Sequence, residues 1–71
     1  MKRKVAEMLI SFAQVNDLCY IITTEDRTQC IVNNFTNEAF IDDDDIIVIW
    51  DKMFNKSRTV ALASVRFIAF Y

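Results

Sequence analysis

The chain has 71 residues, of which 54% are hydrophobic, with 8 basic and 10 acidic side chains for a formal charge of −2, two cysteines, and no histidine, glycine or proline. That length predicts one domain, which buries only about 60% of the surface its unfolded chain exposes. Near-neutral charge argues against a dominant phosphate-binding surface, the missing histidine removes the commonest transition-metal ligand, and without glycine there is no P-loop, dinucleotide fingerprint or nucleophile elbow.

Residues 4–17 carry Val5, Met8, Leu9, Phe12 and Val15 at i, i+3, i+4 and i+7 spacing, with Glu7, Ser11 and Gln14 opposite. This pattern predicts an amphipathic helix, occupying residues 1–17, that turns its apolar side to the core. Asn16 and Asp17 end it, because their side chains compete for backbone hydrogen bonds. Lys2, Arg3 and Lys4 place positive charge where the helix macrodipole disfavours it, so the first turn is expected to fray.

From residue 18 to 71 the pattern is extended, predicting a small antiparallel sheet of about five strands in an α+β domain. Residues 19–24 are β-branched and aromatic, residues 25–27 form a turn, and residues 28–32 return as the second arm of a hairpin. Asn33 and Asn34 mark a bulge or turn, since asparagine tolerates positive φ, and a short strand follows over residues 38–41. After an aspartate turn, residues 46–50 are apolar on both alternating faces, as expected of a central strand covered on both sides. Residues 59–63 alternate Val60 and Leu62 with Thr59, Ala61 and Ala63, and that small face predicts a close approach by the helix. Ser64 is read as a corner before the last strand, residues 65–71, where Val65, Phe67, Ala69 and Tyr71 share one face and Ile68 and Phe70 the other. A helix, short strands and a tight corner before the last strand resemble the layout of small SH3-like and Sm-like barrels. That likeness lies in element order alone, and it implies a sheet curled into a barrel.

The residues that could carry chemistry are few. Cys19 and Cys30 lack Cys-x-x-Cys spacing and lie in strand-like runs, so they are read as structural, reduced thiols of a cytoplasmic protein. No apolar run approaches the ~20 residues a membrane span requires. Trp50, Phe35, Phe40 and Phe54 are read as core aromatics, with a stacking platform for single-stranded nucleic acid as the functional alternative. Asp42, Asp43, Asp44 and Asp45 are read first as a solvated turn. A divalent cation site is the second reading, although the EF-hand spacing fails at both its glycine and its final glutamate. In the third reading these four join Glu38 and Asp51 in an acidic patch that imitates a phosphate backbone.

No catalytic residue, metal site or cofactor is predicted. The expected function is a non-enzymatic protein-interaction module that binds or inhibits a macromolecular partner, in the manner of a phage or mobile-element accessory protein. Self-association, with a homodimer favoured, is expected through Phe67, Ile68, Phe70 and Tyr71, because one short helix cannot cover both faces of the apolar strands. The alternative is a nucleic-acid-binding small barrel, supported by Lys52, Lys56, Arg58 and Arg66 near the C-terminal strands.

Overall fold

A computed structural model describes residues 1–71. One helix, α1 (Arg3–Val15), precedes six strands: β1 (Tyr20–Thr24), β2 (Gln29–Val32), β3 (Asn37–Ile41), β4 (Ile46–Asp51), β5 (Lys56–Ala61) and β6 (Val65–Phe70). A three-residue 3-10 turn, η1 (Leu62–Ser64), joins the last two. The strands make two antiparallel three-stranded sheets, ordered β2-β1-β6 and β3-β4-β5, and the sheets are not closed into a barrel.

The strands number six rather than about five, and residues 33–36 form the turn expected at Asn33 and Asn34. The Asn33 carbonyl accepts the Thr36 and Asn37 amides at 3.0 and 2.7 Å, and its side-chain oxygen accepts the Phe35 amide at 3.0 Å. A carbonyl held in a turn is withdrawn from the sheet ladder, so β2 and β3 enter different sheets. β4 is central in its sheet, as expected. β5 begins at Lys56, earlier than its apolar alternation indicates, because its first four residues are all exposed and polar.

The helix buries a different side from the expected one: Glu7, Ser11 and Gln14 are exposed as expected, but of the apolar stripe only Leu9 is half-buried. The helix's buried residues are Ala6, Ile10 and Ala13, whereas Met8 and Val15 are 71% and 80% exposed and Val5 and Phe12 are also exposed. The small residues that allow close approach are therefore on the helix, which lies nearest β3 and β6 rather than against Thr59, Ala61 and Ala63. Two alanines bring the helix axis close to the sheets, which the bulkier stripe would prevent. The helix ends in a Schellman arrangement: Leu18 N–H donates to Ala13 at 2.8 Å, Asp17 N–H to Gln14 at 3.3 Å, and Asp17 takes φ 54° in place of the usual glycine.

Three hairpin turns solve the lack of glycine in the same way, each closing on a residue with positive φ: Arg27 at 68°, Asp45 at 58° and Asn55 at 54°. An aspartate steadies each turn by accepting amides. Asp26 takes Thr28 N–H at 3.1 Å, Asp42 takes Asp44 and Ile46 at 2.9 and 3.0 Å, and Asp51 takes Met53 and Phe54 at 2.9 and 3.1 Å.

The core is one cluster of 13 residues drawn from every element. Tyr20, Ile22, Cys30 and Val32 supply the inner face of one sheet, while Ala39, Ile47, Ile49 and Val60 come from the other. The β1–β6 register shifts between Thr23 and Thr24, so Val65 and Arg66 together oppose Thr24. This bulge inverts the simple alternation of the last strand and puts Val65 on the inner side with Ile68 and Phe70, away from Phe67 and Ala69.

Candidate interaction surfaces

Of the residues expected to mediate self-association, the structure turns Phe67 outward and leaves Tyr71 64% exposed, while Ile68 and Phe70 are half-buried against the core. Phe67 shares the outer face of its sheet with Ile21, Ile31 and Ala69. β6 is an end strand of that sheet and offers one edge without a partner, as β5 does in the other sheet.

A second apolar surface was not foreseen as such. Val5, Met8, Phe12 and Val15 run along the solvent side of α1, and the Phe12 ring lies 5.3 Å from that of Phe70, joining the stripe to the C-terminal strand. The signal was present in the sequence: Ala6, Ile10 and Ala13 also follow helical spacing, and they define a second apolar face.

Of the aromatics read as core, Phe35, Phe40 and Phe54 are exposed and Trp50 is half-buried. Phe40, Val48 and Trp50 lie on the outer face of the β3-β4-β5 sheet, by their register. Phe54 borders a groove that also holds Asn33, Asn37, Lys56 and Arg58, together with Asp51.

The six acids do not gather at one place. Residues 42–45 form the β3–β4 turn, whereas Glu38 and Asp51 sit at the far end of that hairpin, where Asn37 pairs with Asp51 and Glu38 with Trp50. Several are engaged: Asp45 lies 2.9 Å from Arg3, Glu38 lies 3.3 Å from Lys52, and Asp42 and Asp51 hold turn amides. No group of three carboxylate or thiol residues has metal-binding proximity.

Cys19 and Cys30 are free thiols, half-buried and buried. The Tyr20 hydroxyl is fully buried with no hydrogen-bond partner, and burial pushes its ionisation up from 10.0 to about 12. The Asp26 carboxyl is held below its usual range, first by the Thr24 hydroxyl and then by the Thr28 amide. Both perturbations have structural causes, burial for Tyr20 and turn hydrogen bonds for Asp26, and Asp26 borders a cleft that also holds Glu25, Cys30, Arg58 and Ser64. No helix is long and apolar enough to cross a membrane. The chain matches no protein-family model, no curated protein and no solved structure.

Proposed function

We propose that this chain is a non-enzymatic interaction module that associates with itself, as a homodimer, and binds or inhibits a macromolecular partner. The observation that carries this reading is how the large apolar side chains are divided. A core built from alanine, valine and isoleucine with one leucine, one cysteine and one tyrosine leaves Met8, Phe12, Phe35, Phe40, Phe54 and Phe67 outside. Soluble monomers seldom expose so many large apolar side chains, and a second chain is the usual cover. The free edges of β5 and β6 support the same reading. We carry the likeness to SH3-like and Sm-like barrels as part of this proposal, with the two sheets as the halves of an unclosed barrel.

Light scattering at tens of micromolar tests it. A dimer is expected for the wild type, and Phe67→Glu is expected to weaken it if the outer face beside β6 contributes. A monomer that persists to hundreds of micromolar would overturn self-association.

A second reading rests on the groove where Phe54 stands beside Lys56 and Arg58, with the side-chain amides of Asn33 and Asn37. A ring flanked by cations suits stacking and phosphate contact with single-stranded nucleic acid. Oligonucleotide binding that falls steeply with salt and is lost in Lys56→Glu with Arg58→Glu would favour it over the first.

A further inference from the structure

We infer that the exposed side of α1 is the self-association surface, and that it pairs with α1 of a second copy in antiparallel orientation about a twofold axis. This rests on the self-association reading above and specifies its geometry. Val5, Met8, Phe12 and Val15 are spaced 3, 4 and 3 residues apart, the a/d rhythm of a two-helix seam. The residues of the opposite side, Ala6, Ile10 and Ala13, are already committed to the core, so the helix is apolar on two sides and covered on one. A helix apolar on two sides needs a neighbour on each.

The charges choose the partner and its direction. At the N-terminal end of α1, Arg3 is engaged by Glu7 and Asp45, so Lys2 and Lys4 are the cations left for a partner; no acid lies in the first turn and no base in the last, and Lys2 at the N-cap makes no side-chain cap. The C-terminal end carries Asp17 and the carbonyl end of the macrodipole. Each end is therefore charged against its own dipole. Antiparallel pairing sets Lys2 and Lys4 of one copy beside Asp17 and the carbonyl end of the other, twice over by symmetry, whereas parallel pairing would bring the lysines of the two copies together. Phe70, in contact with Phe12, extends the seam onto the C-terminal strand.

Three variants and a concentration series test this by light scattering and circular dichroism. Met8→Glu with Val15→Glu alters only exposed positions, and it is expected to yield a folded monomer at concentrations where the wild type is a dimer. Lys2→Glu with Lys4→Glu removes the clash with the macrodipole, so helix content should hold or rise, while dimer affinity should fall roughly tenfold at low salt. That opposition is the signature of antiparallel pairing. If the lysine variant dimerised as tightly as wild type or tighter, the antiparallel orientation would be wrong. If the Met8 and Val15 variant stayed dimeric while Phe67→Glu became monomeric, the helix seam would be wrong and self-association through the sheet would stand. A monomeric wild type at hundreds of micromolar would sink both.

Discussion

One nitrogen of the Arg3 guanidinium, Nη1, donates to the Asp45 carboxylate at 2.9 Å and to the Asp42 carbonyl at 2.6 Å. The first turn of α1 is thereby fastened to the β3–β4 turn, while Nε of the same side chain reaches Glu7 at 2.7 Å. A basic residue that the helix dipole disfavours is kept there by a contact from outside the helix. Because lysine cannot fork between such acceptors, Arg3→Lys is expected to lower the thermal midpoint by a few degrees. An unchanged midpoint would show that the clamp is idle.

The four aspartates of that turn divide into two that build it and two that decorate it. Asp42 accepts two amides and Asp45 holds the positive-φ position, whereas the side chains of Asp43 and Asp44 make no hydrogen bond. Asp42→Ala is expected to cost about 1 kcal/mol in chemical denaturation, the usual value of lost turn bonds. Asp43→Asn with Asp44→Asn should stay within about 0.5 kcal/mol. Calcium or magnesium at millimolar concentration should leave the wild-type midpoint unchanged, since a cation bound only by the folded state would raise it.

Tyr20 offers a test of the core. Its ring is fully buried and its hydroxyl has no partner. Tyr20→Phe keeps the packing and deletes an uncompensated polar atom, so stability at neutral pH should rise by about 1 kcal/mol. The pH dependence has a definite sign. The folded-state value, about 12, lies above the ordinary 10.0, so the unfolded chain loses this proton first. The stability associated with Tyr20 is therefore complete below pH 10 and is lost as pH rises toward 12, by on the order of 2 kcal/mol. Tyr20→Phe should flatten that alkaline decline, and an equal slope in both proteins would contradict the assignment.

Arg27 is the one positive-φ residue here that is neither Asp nor Asn. Its side chain is exposed and makes no hydrogen bond, and only its backbone is used, donating to Thr24 at 2.9 Å. Arg27→Gly removes a Cβ clash and is expected to stabilise the protein by roughly 0.5 to 1 kcal/mol in urea titration. A loss of stability would show that the turn relies on the arginine stem.

Element type was legible in the sequence because β-branched runs and Asn or Asp turns speak locally. Residues 46–50 announced a central strand, and the helix was evident from its period. Which side of that helix faced inward was not legible. Hydropathy weights Met8 and Phe12 above Ala6 and Ala13, yet close approach of helix and sheets rewards small side chains. The bulge at Arg66 and the polar start of β5 were hidden for a related reason, since neither interrupts an apolar rhythm in a way that one strand alone reveals. The acidic residues looked like one patch because they are close in sequence, but an extended hairpin moves its two ends roughly 3.3 Å apart with every residue.

The division into two sheets has a consequence for the order in which the chain acquires its structure. β3, β4 and β5 are joined by adjacent hairpins, and β1 with β2 forms another, so these pieces close over short loops at small entropic cost. β6 is different, since it must cross the whole β3-β4-β5 meander before it finds β1. The ring of Phe70, against which Phe12 rests, arrives only with that strand. The hairpins are thus expected to form before β6 docks, and until it docks β1 lacks a neighbour along one edge and the helix lacks part of its seat.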